Sequence, residues 1–346
     1  MKVLKVGIQG AGGVSEEHIK AFLKNPQTEV VHINSLTEKS SLDKVKKYAL
    51  KDVDITTDYQ KLIGNDEVDL ISISTPSHLH PEETIAAAQA GKHVMISKPA
   101  SLNHSDLIRM SEEVSSAGVK SLVGFPLRWN PLVRTLKSLV TDGTFGDIFY
   151  SEVDYLHHLD EHHTGYEWAI EKDKGGSTFL FGGCHAVDSM RWLTSSGEES
   201  TKDIVEVDAY FGGYRNEYNY PGLGVAIVVF EDGTLGKVTS NFDCAMPYQY
   251  PVRLFGSKGT SLSHLVWSNK LFRQEWVDIT HDSFLTVSVN APTYPFQGQV
   301  DHFAECILKD RASHSDLENA INTHEVCYAV EISAKERRRI ELPLKI

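Results

Sequence analysis

Cysteine is scarce in this chain: Cys184, Cys244, Cys306 and Cys327 are the four in 346 residues, widely spaced and without a CxxC pair. That excludes a disulfide framework and reads as reduced thiols in a cytoplasmic protein. Long hydrophobic runs are missing as well. No stretch reaches the ~18 apolar residues of a spanning helix, and the opening MKVLKVGIQGAGG enters a strand and a glycine turn without the layout of a signal peptide. Positive charge is in deficit, with 34 Lys plus Arg against 47 Asp plus Glu and a formal net charge of −13. Such a field repels phosphate backbones and anionic membranes, so neither nucleic acid nor membrane is an expected partner. A local basic pocket for a small anion stays open. Internal repeats and low-complexity segments are absent too.

What is present is a globular composition, 41% hydrophobic and 23% charged, in a length that suits two domains. Residues 1–125 alternate strand-like and helix-like segments. The strands are Val3 to Ile8, Val30 to Ile33, Val68 to Ser74, His93 to Ser97 and Ser121 to Phe125. The helices are Glu16 to Asn25, Ser41 to Leu50, Glu82 to Ala90 and Ser105 to Ala117. Repeated βα units with continuous apolar strands predict an α/β, doubly wound parallel sheet of the Rossmann type. From 126 to 346 the texture predicts an α+β domain with a large, mostly antiparallel sheet. Its strands are Ile148 to Leu156, Ile204 to Tyr214, Gly224 to Glu231, Thr234 to Asp243 and Val252 to Gly256, with a hairpin turn at Asp232-Gly233. Helices are expected at Leu132 to Val140, Ser177 to Leu193, His302 to Lys309 and Asp316 to Arg337. Those beyond about residue 300 are candidates to pack back on the first domain.

Gly10-Ala11-Gly12-Gly13-Val14-Ser15 directly follows the first strand and opens the first helix. Gly10 permits the tight turn, Gly12 lets backbone approach a pyrophosphate, and the helix N-terminus offers free N–H groups and a positive dipole. Ser15 stands where the third glycine of a dinucleotide fingerprint falls. The second strand ends in Asn34-Ser35 instead of the usual acidic residue. Ser35, Thr37 and Lys39 could take a 2′-phosphate, or Ser35 or Asn34 could bond an unphosphorylated ribose, which leaves NAD and NADP both open. At the carboxyl edge of the sheet Lys98 follows the fourth strand. An ammonium there can bond a substrate oxygen and stabilise developing alkoxide, the proton-handling that hydride transfer needs. The loop His157-His158-Leu159-Asp160-Glu161-His162-His163 is dense in metal-ligand types but lacks helical HExxH spacing. A sugar-binding loop is the preferred reading and a metal is not expected.

Thr75-Pro76-Ser77-His78-Leu79-His80, Ala90-Gly91-Lys92-His93-Val94 and Lys98-Pro99 together resemble the glucose-fructose oxidoreductase / inositol dehydrogenase (Gfo/Idh/MocA) family. Arg128-Trp129-Asn130-Pro131, Gly143 to Gly146, and Gly175-Gly176-Ser177 leading to Gly183-Cys184-His185-Ala186-Val187-Asp188 extend the likeness over nearly the whole chain. The resemblance implies an NAD(P)-dependent oxidoreductase acting on a carbinol carbon of a sugar, glycoside, cyclitol or related polyol. It also implies a second-domain sheet that forms homodimer or homotetramer interfaces. It assigns Lys98 and His185 as catalytic. Gly10, Ala11, Gly12, Gly13, Val14, Ser35, Thr75, Pro76, His80, Lys98, Pro99 and Arg128 are implied along the cofactor. Lys98, Tyr155, His157, His162, His163, Trp168, Phe181, Asp188 and His185 are implied along the substrate. Two departures stand out: the glutamate of the family's EKP is Ser97, and the aspartate four residues before the histidine is Phe181. Asp188 could orient His185 or bond Lys98, or merely cap the helix. A glycosidase using bound NAD transiently is a second enzyme reading, and a dinucleotide-sensing regulator is the alternative these departures keep alive.

Overall fold

The computed structural model describes residues 2–163, 165–215, 217–270, 275–279 and 295–345. The chain forms two units, one of residues 1–126, 173–175 and 296–320, the other of 127–172, 176–295 and 321–346. In the first, strands β1 (Leu4–Gln9), β2 (Thr28–Asn34), β3 (Asp54–Thr56), β4 (Leu70–Ile73), β5 (His93–Ile96) and β6 (Ser121–Val123) form one parallel sheet. Their order is β3-β2-β1-β4-β5-β6. Helices α1 (Gly13–Lys24), α2 (Glu38–Lys47), α3 (Tyr59–Ile63), α4 (His80–Gln89) and α5 (His104–Ser116) make the crossovers. Leu4, Val6, Ile8, Leu70, Ile71 and Ile73 have no exposed surface, as strands covered on both faces require. Strand order reverses at β1, which lies between β2 and β4, so a crevice opens at the carboxyl ends of those strands. The sequence reading missed β3 and α3. At three and five residues they are too short to display a hydrophobic period.

The second unit opens with α6 (Pro131–Thr141) and β7 (Ile148–Leu156), followed by the short helix α7 (Tyr166–Ala169); the next short helix, α8 (Lys172–Gly175), groups with the first unit from Asp173 on. The helix expected from Ser177 to Leu193 is broken. A π-helical turn, Phe179–Gly183, precedes α9 (Cys184–Thr194). Strands β8 (Ile204–Gly212), β9 (Leu223–Phe230), β10 (Leu235–Asn241), β11 (Val252–Gly256), β12 (Gly259–Leu262), β13 (Leu265–Ser268) and β14 (Val277–Asp278) follow. With β7 and the late β15 (Ile340–Glu341) they form a nine-stranded sheet, ordered β14-β13-β12-β11-β7-β10-β9-β8-β15. It is antiparallel except where β10 runs parallel to β7. The Asp232-Gly233 turn joins β9 to β10, with Gly233 at φ +85°. The strands alternate buried and exposed residues, and α9 packs on β7 and β10. Helix α10 begins at Phe296, six residues before the expected start, and runs to Leu308; α11 spans Leu317–Glu336. Residues 296–320 group with the first unit and 321–346 with the second, so the C-terminal helices are shared between the two.

Candidate active site

The glycine turn has the shape its spacing demands. Gly10 sits at φ +91°, and a Cβ there would lie 2.9 Å from the backbone of Ser74. Its N–H donates to the Asn34 carbonyl at 2.9 Å, tying the turn to the end of β2. A Cβ on Gly12 would meet nothing within 4 Å, so backbone is bare on that side. Gly12 caps α1 without a side-chain bond, which leaves the first N–H groups of the helix to a ligand anion. Ser15, fully buried, bonds the Gly12 carbonyl at 2.6 Å and so fits the third glycine's place. Glu16 would oppose an anion here, but Lys44 and Lys47 each reach it at 2.5 Å. Burial raises the pKa of Glu16, yet the hydrogen bonds from Lys44, Lys47 and Tyr48 prevail and hold it at about 2. Ala11, Gly13 and the exposed Val14 complete the turn. Bare backbone, a free helix end and a neutralised carboxylate fit a dinucleotide pyrophosphate.

Ser35 does not stand ready for a ribose. It is buried, and its hydroxyl donates to the Thr37 carbonyl at 2.7 Å and lies 2.8 Å from the Ser41 hydroxyl. Thr37 is the N-cap of α2, accepting from the Ser40 N–H. In this structure the Ser35 hydroxyl shapes the loop. Asn34 instead donates its amide to Gln9 Oε1 at 2.7 Å, and Gln9 donates to Glu83 Oε1 at 2.5 Å. Thr75 gives its hydroxyl to Glu83 Oε2, also at 2.5 Å. Burial raises the pKa of Glu83, partly offset by these two donors. Sequence reasoning missed Gln9 and Glu83, whose pairing across 74 residues has no local signal.

Across the crevice, the Lys98–Pro99 bond is cis. His80 is buried, with Nδ1 2.8 Å from the Pro99 carbonyl and Nε2 2.9 Å from that of Thr75. The ring braces the Thr75-Pro76 loop against the Lys98-Pro99 loop from within. Burial pulls its pKa down to about 4, although both carbonyl acceptors favour the imidazolium. A neutral ring donates to one of the two. Ser97 cannot serve as an orienting carboxylate, and its buried Oγ has no partner among the described residues.

In the second unit six predicted substrate residues converge. His185 lies in the first turn of α9, stacked on Tyr155 with centroids 5.8 Å apart and planes 17° from parallel. The π turn before it carries Gly182, where a Cβ would fall 2.6 Å from the Tyr155 ring and 2.8 Å from Phe242. Glycine there allows the backbone to rest on both rings, and π turns of this kind concentrate at functional sites. The Tyr155 hydroxyl is 3.3 Å from His157 Nδ1, and His157 lies edge-on to His163 at 5.5 Å. Phe181 meets His163 at 5.8 Å, Trp168 at 5.7 Å and Phe242 at 6.0 Å. The histidine-rich loop is thus divided. His157 and His163 join the cluster, whereas His162 is exposed and its N–H bonds Asp160. His162 is therefore set apart from the other substrate residues, because the turn capped by Asp160 points it outward.

Arg128 and Asp188 form one buried pair. Asp188 is 1% exposed and neither orients His185 nor caps a surface helix end. Arg128, also 1% exposed, grips both its oxygens, Nε at 2.8 Å and a terminal nitrogen at 2.5 Å. The pair anchors α9 one turn beyond His185. Tyr250 adds a 2.6 Å bond to the His185 carbonyl. Both side chains support the interior of the second unit, and the carboxylate takes two of the five N–H groups that the guanidinium carries.

A doubly wound dinucleotide-binding unit, joined in one chain to a sheet unit bearing a histidine–aromatic cluster, defines the class of two-domain nicotinamide oxidoreductases. Residues 4–125 match the family model of the oxidoreductases with an NAD-binding Rossmann fold, and residues 133–261 match the Gfo/Idh/MocA C-terminal domain. The chain belongs to the Gfo/Idh/MocA family. Among characterised relatives, myo-inositol 2-dehydrogenase of Thermotoga maritima is 24% identical over 266 residues, 74% of either chain. Levoglucosan dehydrogenase of Pseudarthrobacter phenanthrenivorans is 26% identical over 215 residues, 59% of this chain and 54% of that protein. Among solved structures, levoglucosan dehydrogenase in complex with NADH has a TM-score of 0.86 at 17% identity, covering 99% of this chain and 100% of that one. Scyllo-inositol dehydrogenase from Lactobacillus casei, with NAD(H) and scyllo-inositol, has 0.80 at 20%, covering 98% and 99%. Among the described residues no helix is long and apolar enough to cross a membrane.

Proposed function

We propose that this protein is an NAD-dependent dehydrogenase or reductase acting on a carbinol carbon of a sugar, glycoside, cyclitol or related polyol. The observation that carries the reading is the cluster of His185, Tyr155, His157 and His163 beside the rings of Trp168 and Phe181. Imidazoles and phenols hydrogen-bond hydroxyls, and aromatic faces take the C–H faces of a sugar ring. The inositol and levoglucosan dehydrogenases among its relatives support the same substrate class. When bound, the nicotinamide supplies the hydride acceptor or donor. The glycine turn would hold its pyrophosphate. Lys98 bonds the substrate oxygen and stabilises its charge, while His185 takes or returns the hydroxyl proton.

The exposed face of the nine-stranded sheet carries Tyr210, Ile227 and Leu235, each more than 45% exposed. We assign this face to self-association as a homodimer or homotetramer, with a cytoplasmic location in keeping with four free cysteines. The test is a panel of sugars, glycosides and inositols, offered with NAD and with NADP and read by absorbance of the reduced nicotinamide. Turnover with at least one polyol is expected, abolished in Lys98→Met while dinucleotide still binds. A chain that binds dinucleotide and turns over nothing in the panel would be a sensor, and the proposal would fall.

A further inference from the structure

The end of β2 carries no carboxylate, and Ser35 spends its hydroxyl within its own loop. A carboxylate nevertheless reaches this edge of the sheet from α4. Glu83 accepts from Gln9, the last residue of β1, and from Thr75, just beyond β4. Gln9 in turn accepts from Asn34, the last residue of β2. The carboxylate therefore stands two hydrogen bonds from the Asn34 side chain.

The chain of bonds has a direction, and Glu83 sets it. A carboxylate with no proton only accepts, so Gln9 must turn its NH2 toward Glu83 and its carbonyl oxygen toward Asn34. Asn34 must then spend its NH2 on Gln9, which leaves its Oδ1 over. That oxygen is buried and has no partner among the described residues. A leftover acceptor suits a ribose hydroxyl, which can donate. It repels the oxygens of a 2′-phosphate, which at neutral pH mostly accept. Nearby cations do not offset this: Lys44 and Lys47 are engaged by Glu16, and the exposed Lys39 adjoins the exposed Glu38.

We propose that Glu83 is the specificity-determining residue of the cofactor edge, favouring a dinucleotide with a free adenosine 2′-hydroxyl by polarising the Gln9–Asn34 chain. It is a positioning residue acting through Asn34, and the proposal rests on the dinucleotide site described above. The test is the Kd for NADH and NADPH, measured by nicotinamide fluorescence on the whole purified chain. The wild type should bind NADH at least about tenfold more tightly than NADPH. Glu83→Gln, whose amide lets both neighbours flip, should narrow that ratio about tenfold. Gln9→Met cuts the chain with Glu83 intact and should narrow it too, which covers a folding failure of the first variant. An unchanged ratio in both variants, or a wild type preferring NADPH, overturns the inference and leaves the dinucleotide site standing. Binding of neither dinucleotide by the wild type overturns the site itself and the inference with it.

Discussion

The carboxyl edge of the first unit and the ring cluster of the second reach order by opposite means. At the edge, order rests on bare backbone and small polar groups: Gly10 at φ +91°, an open Gly12, and a directed chain from Glu83 to Asn34. In the cluster it rests on large rings, His185 stacked on Tyr155 and Phe181 edge-on to Phe242, with glycine used to let backbone lie against them. The edge tolerates little change in hydrogen-bond direction, the cluster little change in volume. Binding of a common cofactor demands the first, and discrimination among similar polyols demands the second.

The sharpest way to break the contrast is to remove the support beneath the cluster. Asp188→Ala leaves the Arg128 guanidinium buried without its carboxylate, and should cost about 4 kcal/mol of stability. Denaturant unfolding would show it as a lowered midpoint. Next, His185→Asn keeps volume and removes the acid/base group; kcat should fall about 100-fold with NADH affinity unchanged, read by steady-state rates beside fluorescence titration. Gly182→Ala pushes a methyl into the Tyr155 ring and should cost about 2 kcal/mol, together with a raised KM for the polyol. The smallest effect lies at the edge. Because the folded pKa of Glu16 is about 2 against 4.5 unfolded, its contribution is complete above about pH 4.5 and is lost as pH falls toward 2. Glu16→Gln should therefore lower the thermal midpoint slightly at pH 7, with the difference from wild type closing on acidification.

The edge was largely legible in the sequence because its geometry is local. A glycine spacing after an apolar strand specifies a turn and a helix start within six residues, and the structure has both. The identities of the cluster residues were legible through motif likeness, but their grouping was not. Tyr155, Trp168, Phe181 and His185 meet through a π turn whose extra residue no helical period announces. His80, Arg128 and Asp188 were motif residues whose burial the sequence does not display. Each is buried and bonds interior groups, His80 the Pro99 carbonyl and Arg128 the Asp188 carboxylate. Glu83 and Gln9 escaped because a pair 74 residues apart leaves no mark on either neighbourhood.

The most direct test of the central claim follows one atom. A polyol carrying deuterium on its carbinol carbons, incubated with the wild-type chain and NAD, should yield reduced dinucleotide that carries the label by mass spectrometry. The same mixture with His185→Asn should yield far less of it in the same time. Reduced dinucleotide without label, or product formed with no reduced dinucleotide at all, would contradict the account.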